Sequence, residues 1–249
     1  MGNAPLPELK IIETLAGGGI SEFAPLHGDG SVRRYYRVRA NGGTFILLEG
    51  PDRDENGAWL RVNGHLAEGG VRVPEVQAVD EERGLILMED LGDVSLFSLV
   101  KGTLGLEEVV GSYREVLGVL CRMQVGCAPG FTLKTGFGGA PYNEEVMMAQ
   151  EALYFLDELV KGYLSLDEPH GLRGEFEDLA HEALAAPTGY LLHRDFQSRN
   201  VMQSRGEWVV IDFQGAIPGP LAYDAAALLL DPYVELPLEV SGGLFDEYC

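Results

Sequence analysis

The chain has 249 residues, of which 46% are hydrophobic, and a formal net charge of −21 at pH 7. This length and composition predict a globular protein with one large domain or two lobes. The acidity argues against nucleic acid or an anionic membrane as a partner. No uncharged stretch approaches the roughly 18 residues of a membrane helix, and the N-terminus does not look like a signal peptide. Three cysteines without metal-binding spacing favour a reducing cytoplasm.

The first ninety residues have the pattern of a small antiparallel sheet with two helices. Strands are predicted for residues 23–26, 35–39, 45–48 and 85–88, with a further strand pair beginning near Val71, and helices for residues 6–15 and 55–68. The turn at residues 41–43, Asn-Gly-Gly, lies between alternating apolar runs and is a hairpin signal.

The rest of the chain is mainly helical in pattern. Apolar periodicity predicts helices at residues 106–124, 144–163, 175–185 and 221–230. Asn143 is expected to cap the second of these helices. Residues 126–142 contain many glycines and are expected to form a loop. Near the start of the last helix, Asp224 is expected to accept hydrogen bonds from the backbone N–H groups of a neighbouring loop. The final residues, 245–249, read as the start of another helix.

Between the last two predicted helices, residues 190–214 carry the chemistry. Asp195 follows a short apolar run, Asn200 comes five residues later, and Asp212 ends a second apolar run at residues 208–211. Phosphoryl transfer needs a carboxylate to accept the hydroxyl proton, and oxygen ligands for Mg²⁺ on the phosphates of ATP. The spacing of His193, Arg194, Asp195 and Asn200 matches the kinase catalytic loop H-R-D-x-x-x-x-N. We therefore predict Asp195 as the base, and Asn200 and Asp212 as the metal ligands.

Structural alternatives exist for the polar residues of this stretch. Asp195 and Asn200 are also typical turn caps, and Asp212 could pair with Arg194. His193 is interpreted as a structural residue. Arg199, which precedes Asn200, either adds positive charge near the phosphates or anchors the loop. The complete set at the right spacing favours the catalytic interpretation.

Two earlier segments lie where a kinase would bind the nucleotide. Gly28, Gly30 and Ser31 are placed like the glycine-rich loop whose backbone approaches the phosphates, although many hairpins have similar loops. The strand at residues 85–88 breaks where a two-lobed kinase has its hinge. Backbone groups near Glu89 and Leu91 are expected to bind adenine, with Met88 beside the pocket. The alternative is an ordinary strand end.

The motifs resemble the aminoglycoside phosphotransferase and choline kinase superfamily, which has a protein-kinase-like fold. Four further segments look like the anomeric amino-sugar kinases of peptidoglycan recycling: Ile211 to Gln214, Gly219-Pro220, Tyr223-Asp224 and residues 228–231. Those enzymes use ATP to phosphorylate the C1 hydroxyl of N-acetylmuramate or N-acetylglucosamine. The resemblance implies a small-molecule amino-sugar substrate, with ATP and Mg²⁺ as cofactors.

The third strand departs from the kinase pattern, because no lysine lies between Lys10 and Lys101. The amino-sugar kinases also lack this lysine and have a doublet of arginines, which implies that Arg33 or Arg34 contacts phosphate. The alternative is that the two arginines lie on a solvated face of the sheet, with one of them stacked on Tyr35 or Tyr36. Glu151 matches a glutamate of that group that could bind a sugar hydroxyl, but an exposed helix charge is the favoured interpretation. Asp231, at the end of a predicted helix, is a further substrate candidate.

The sequence thus predicts an α+β, protein-kinase-like fold of two lobes: residues 1–91 as a β-rich nucleotide-binding lobe with the hinge, and residues 92–249 as a helical lobe. Because related kinases continue for several more helices, we expect the second lobe to be incomplete. Two rival functions remain open. One is an aminoglycoside antibiotic phosphotransferase, and the other is a nucleotide-binding pseudokinase that regulates a partner.

Overall fold

Five antiparallel strands form the N-terminal part of the protein. The computed structural model describes residues 9–26, 32–102, 104–137 and 139–249. The strands lie in the order β1-β2-β3-β5-β4. Their bounds are β1 Ile20–Leu26, β2 Arg34–Ala40, β3 Gly43–Glu49, β4 Val76–Asp80 and β5 Leu85–Glu89. The predicted strands and the hairpin turn at residues 41–43 are confirmed.

The two faces of this sheet pack against different helices. Tyr35 of β2 pairs with Leu48 of β3, and Leu48 pairs with Ile86 of β5. These residues pack in the main core together with Trp59 of helix α2 (Arg53–Glu68). Because side chains alternate along a strand, the neighbouring residues face the other way, where they pack with Ile12 of helix α1 (Leu9–Ala16).

Helix α2 starts and ends where its sequence directs. The side chain of Asp52 accepts hydrogen bonds from the N–H groups of Asp54 and Glu55, at 2.9 and 3.0 Å, and so caps the helix. Gly69 and Gly70 end it, and Gly70 has a φ of +77°. This helix connects the sheet to the rest of the protein through the main core.

Helices dominate the C-terminal part. They are α3 Leu96–Val100, α4 Leu106–Cys121, α5 Glu144–Met147, α6 Leu172–Leu184, α7 Ala222–Leu229 and α8 Leu238–Tyr248. Helix α4 continues as a π-helical turn, Arg122–Gly126, and α5 continues through π-helical segments, Met148–Ala152 and Phe155–Tyr163. The predicted helix at residues 144–163 is therefore present, with wider hydrogen bonding than an α-helix. Asn143 caps it as predicted, since its Oδ1 accepts from the Val146 N–H at 2.9 Å.

Two small two-stranded sheets hold the stretch that carries the predicted catalytic residues. Strand β6 (Tyr190–Leu192) pairs with β9 (Ile217–Gly219), and β7 (Val201–Ser204) pairs with β8 (Glu207–Val210). The loop between β6 and β7 contains Asp195, and Asp212 follows β8. Both loops therefore emerge from neighbouring strand ends.

The α+β prediction is confirmed, and several boundaries differ. Residues 71–75, predicted to begin a strand, have no regular structure before β4. The residues from Phe245 are the last turn of α8, so the prediction that a helix starts there is wrong. Helix α1 ends one residue later than predicted. In the ranges that the structure describes, no helix is both long and apolar enough to span a membrane.

Candidate active site

The loop of residues 193–200, called the catalytic loop after its predicted role, places Asp195 at the surface of the molecule. Asp195 is exposed, whereas the next residue, Phe196, is fully buried in the main core. Arg194 has a φ of +78°, a left-handed conformation that non-glycine residues rarely adopt. Such strain persists only where surrounding contacts hold it, and it is common at active sites.

Asp224 holds the start of this loop, as predicted. Its two carboxylate oxygens accept hydrogen bonds from the backbone N–H groups of His193 and Arg194, at 2.8 and 3.0 Å. The carboxylate is fully buried, and burial raises its pKa to about 6, although the two N–H groups that it binds act to lower the pKa. The interpretation of Asp224 as a structural residue is confirmed.

His193 connects the catalytic loop to the strand before Asp212. Its Nε2 lies 2.8 Å from the carbonyl oxygen of Ile211, and its Nδ1 accepts from the N–H of Asp195 at 3.3 Å. These contacts require the neutral tautomer that carries the proton on Nε2. The ring is 1% exposed. The structural interpretation of His193 is therefore confirmed.

Asp231 holds the end of the loop. It is 3% exposed and accepts from the backbone N–H of Ser198 at 2.9 Å, from the Ser198 hydroxyl, and from the Tyr233 N–H at 2.8 Å. This burial favours a positioning role over the predicted substrate contact. The guanidinium of Arg199 stacks on Tyr233 at 3.8 Å and lies 4.9 Å from the ring of Phe97, which fits the anchoring alternative.

Asn200 and Asp212 lie on directly connected segments. The Nδ2 of Asn200 donates to the carbonyl oxygen of Asp195 at 2.9 Å, and its carbonyl oxygen accepts from the Ile211 N–H at 3.0 Å. The side-chain bond uses the amide nitrogen and leaves Oδ1, the atom type that Mg²⁺ binds. In the described ranges, no group of three or more His, Cys, Asp or Glu could hold a metal ion. An amide and one carboxylate still fit Mg²⁺, which completes its shell with phosphate oxygens and water.

The Asp212 segment is fixed by its neighbours. Asp212 has a φ of +64°, and its Oδ1 accepts from the Gln214 side chain at 2.9 Å. Phe213 is fully buried and packs on Trp59 of α2, with 5.4 Å between ring centroids. Arg194 donates instead to Gln150, which does not support the alternative of an Arg194–Asp212 pair.

The interpretation of Glu151 as an exposed helix charge is wrong. Its two carboxylate oxygens accept from the hydroxyls of Tyr142 and Tyr223, at 2.7 and 2.9 Å. Burial and the Glu151 charge raise the pKa of both phenols. The tyrosines come from a loop and from α7, so helix periodicity could not reveal them. The predicted contact with a sugar hydroxyl remains a prediction.

The hinge was predicted at the end of β5. Met88 and Glu89 are the last two residues of this strand, and Leu91 lies just after it. The Glu89 N–H donates to the carbonyl oxygen of Glu75, and its buried side chain accepts from the Arg72 guanidinium at 2.7 and 2.6 Å. Met88 is 5% exposed within the main core. The Glu89 N–H is thus committed within the sheet, which leaves the carbonyl groups and Leu91 as the predicted adenine contacts.

Arg37, which sequence reasoning did not single out, fixes the segment after β5. Its guanidinium contacts Asp90 and Asp93, both at 2.8 Å, and the Asp90 side chain accepts from the Gly92 N–H at 3.0 Å. Gly92 has a φ of +82°, so the chain makes a tight turn here.

The two arginines of the doublet occupy different environments. The side chain of Arg33 is 1% exposed and lies 3.4 Å from Glu55, whereas that of Arg34 is 35% exposed and pairs with Glu49 at 2.7 Å. The solvated-face alternative is therefore wrong for Arg33. Glu55 was missed, although its place in the helix after the first hairpins matches the helix glutamate of kinases. Gly28, Gly30 and Ser31 lie outside the described residues.

A family model described as "Phosphotransferase enzyme family" matches residues 22–249. The chain belongs to this phosphotransferase family. Two curated relatives are named N-acetylmuramate/N-acetylglucosamine kinase. The relative from Pseudomonas aeruginosa is 28% identical over 93% of this chain and 66% of its own length, and that from Neisseria meningitidis is 27% identical over 83% and 60%. The chain thus spans less than two thirds of the length of these relatives.

Solved phosphotransferase structures share the fold at low sequence identity. The aminoglycoside phosphotransferase APH(2'')-Ib with bound ADP is similar with a TM-score of 0.70, at 16% identity, over 97% of this chain and 82% of that chain. The choline kinase LicA from Streptococcus pneumoniae has a TM-score of 0.60, at 16% identity, over 96% and 79%. The prediction of a kinase-like fold in this superfamily is confirmed.

Proposed function

We propose that this phosphotransferase is a kinase that transfers the γ-phosphoryl group of ATP to the anomeric hydroxyl of N-acetylmuramate or N-acetylglucosamine. One observation carries the proposal: Asn200 binds the carbonyl oxygen of Asp195 through its side chain and the N–H of Ile211 through its backbone. An exposed carboxylate therefore lies beside two oxygen ligands for a cation. The names of the relatives support the acceptor.

The proposed reaction has a single proton acceptor. A carboxylate oxygen of Asp195 takes the proton of the acceptor hydroxyl while the hydroxyl oxygen bonds to the γ-phosphorus. The bond from that phosphorus to the β–γ bridging oxygen breaks, and ADP leaves. Asn200 and Asp212 would hold Mg²⁺, which would supply positive charge to offset the negative charge on the transferred group. Hemiacetal hydroxyls are more acidic than ordinary alcohols, which suits a carboxylate base.

The chain fixes the geometry of this reaction before substrates bind. Asp224 and Asp231 hold the two ends of the catalytic loop, and His193 connects it to Ile211. Positioning and electrostatic stabilisation account for most of the catalysis in phosphoryl transfer. A loop held at both ends supports catalysis over a regulatory pseudokinase, because nucleotide binding alone does not need an oriented Asp195.

The test is ATP consumption with four acceptors: N-acetylmuramate, N-acetylglucosamine, kanamycin and choline. We expect turnover with the amino sugars, and a loss of roughly 10³-fold or more in Asp195→Ala, the scale for a key catalytic group. Asp178→Ala, an exposed position on α6, is the matched control and should retain activity.

Other outcomes assign a different function. Turnover with kanamycin alone would identify an antibiotic phosphotransferase. Binding of Mg²⁺-ATP without turnover of any acceptor would identify a nucleotide-binding pseudokinase. Phosphate transferred to a sugar hydroxyl other than C1, seen by nuclear magnetic resonance of the product, would overturn the anomeric assignment.

A further inference from the structure

The missing kinase lysine leaves an apolar residue in its place on β3. Leu48 is fully buried and packs in the main core with Trp59 and Val62 of α2. No lysine occurs between Lys10 and Lys101. A cation that contacts the nucleotide phosphates from this part of the protein is therefore expected to be an arginine.

Strand geometry separates the two arginines of the doublet. Tyr35 packs in the main core with α2, whereas Tyr36 packs in the cluster on the α1 side of the sheet. Because alternate residues share a face, Arg33 is expected on the same face of the sheet as Tyr35, and Arg34 on the same face as Tyr36. The exposures agree, since Arg33 is buried and Arg34 is partly exposed beside Glu49. Arg33 thus lies on the same face of the sheet as α2.

Glu55 is the acidic partner of Arg33. It lies in the first turn of α2, its side chain is 21% exposed, and its Oε1 is 3.4 Å from Nη2 of Arg33. In kinases, a strand lysine and a helix glutamate form an ion pair that must be in place for catalysis. Here the same helix supplies the glutamate, but the cation comes from the residue before β2 instead of from β3.

The pair lies beside the segment that carries Asp212. The Tyr35 phenol has its pKa raised by burial, lowered by Arg33, and raised by Asp212 and Glu55, so all three charges act on one hydroxyl. The Trp59–Phe213 ring contact holds α2 against the residue after Asp212. Arg33 and Asp212 therefore both lie near the Tyr35 hydroxyl.

We propose that Arg33 and Glu55 replace the lysine–glutamate pair of kinases, with Arg33 binding the phosphates of ATP and Glu55 positioning it. The inference rests on the proposed function, because it takes ATP as the phosphoryl donor. The planar guanidinium has five N–H donors and suits bidentate contacts to phosphate oxygens. Arg34, on the other face of the sheet, has no part in this contact.

The test compares nucleotides that differ in their phosphates, by calorimetry without any acceptor. Arg33→Ala should weaken ADP binding roughly 10- to 100-fold, as expected for charge-assisted hydrogen bonds, while adenosine binding changes less than about twofold. Arg33→Lys should recover part of the loss. The control is Arg39→Ala, which removes another β2 arginine, paired with Glu22 at the surface.

Glu55→Gln tests the positioning role. It keeps the side-chain shape and removes the charge, so we expect the KM for ATP to rise about tenfold and kcat to fall less. In Arg33→Ala, the added Glu55→Gln change should have no further effect on ADP affinity, because its partner is gone.

Three results would overturn the inference: equal losses of ADP and adenosine affinity in Arg33→Ala, a loss of ADP affinity in Arg34→Ala instead, or additive effects in the double variant. These measurements involve no acceptor. They would therefore still identify Arg33 as a phosphate contact in a protein that phosphorylates none of the four acceptors, and failure of the sugar assignment is distinguishable from failure of this inference.

Discussion

Different contacts hold the catalytic loop and the segment after β5. In the loop, the buried carboxylates of Asp224 and Asp231 accept hydrogen bonds from backbone N–H groups. In the segment after β5, the side chain of Arg37, which is 28% exposed, contacts Asp90 and the largely exposed Asp93. Burial makes the first kind of contact costly to lose, whereas solvent and salt weaken the second.

This difference in burial indicates where the protein tolerates substitutions. The groups that would accept a proton and hold a cation are fixed by contacts that water does not replace. The segment expected to bind adenine is fixed by a part-buried ion pair, Arg37–Asp90, and an exposed one, Arg37–Asp93. We therefore expect substitutions near the loop to affect both stability and kcat, and substitutions near Arg37 to act mainly on nucleotide binding.

The largest effect should come from Asp224→Ala. It leaves the N–H groups of His193 and Arg194 without their acceptor in a buried site, which costs about 2–4 kcal/mol of unfolding free energy. We also expect kcat to fall more than tenfold. Urea unfolding and steady-state kinetics measure both, with the exposed Asp246→Ala as the control. Unchanged stability would show that the loop does not depend on Asp224.

The pH dependence of stability should reveal the burial of Asp224. Its pKa in the folded protein, about 6, is above the ordinary value of 3.8, so the folded state binds this proton more tightly. The associated stability is present below pH 4 and is lost as the pH rises through 6. Relative to Asp224→Asn, the wild type should lose up to about 3 kcal/mol over this window. Because the other carboxylates contribute equally to the pH dependence of both proteins, their contributions cancel in the comparison. A difference in unfolding free energy that stays constant between pH 4 and 7 would contradict the prediction.

The smallest effect should come from Arg37→Ala. Exposed ion pairs contribute about 1 kcal/mol or less, so stability should change little, while the KM for ATP rises roughly two- to fivefold as the turn at Gly92 loosens. High salt should reduce the difference in the KM for ATP between the wild type and the variant. Arg83→Ala, which removes a surface pair with Asp80, is the control. A destabilisation as large as that of Asp224→Ala would remove the contrast between the two regions.

The local sequence pattern was sufficient to predict the arrangement of the catalytic loop and the Asp212 segment. The spacing of Asp195, Asn200 and Asp212 placed the three groups correctly on adjoining segments, because short strands with polar ends leave few arrangements. The bonds of Asp224 to loop N–H groups were also predictable, since an acidic residue at a helix start beside a catalytic loop has few other partners. The three groups lie close in sequence, whereas Asp224 lies 31 residues from His193 and its role followed from its place at a helix start.

Longer-range contacts were not predictable from pattern. The acceptor role of Glu151 depends on two tyrosines, 9 and 72 residues away. The burial of Asp231 depends on the catalytic loop, 33 residues earlier. Choosing Arg33 over Arg34 required knowing which face of β2 packs on α2, and alternation alone does not give that. Helix periodicity describes one element, whereas these roles arise where elements meet.

The contact between Trp59 and Phe213 gives the protein an optical probe. Trp59 is one of two tryptophans in the chain, and it is 4% exposed against the ring that follows Asp212. The other, Trp208, donates a hydrogen bond to Glu115 on α4. Indole emission depends on the immediate surroundings of the ring. The fluorescence of Trp59 therefore reports on the surroundings of the Asp212 segment. In a Trp208→Phe variant, Trp59 would be the one remaining tryptophan, so the indole emission would come from it alone.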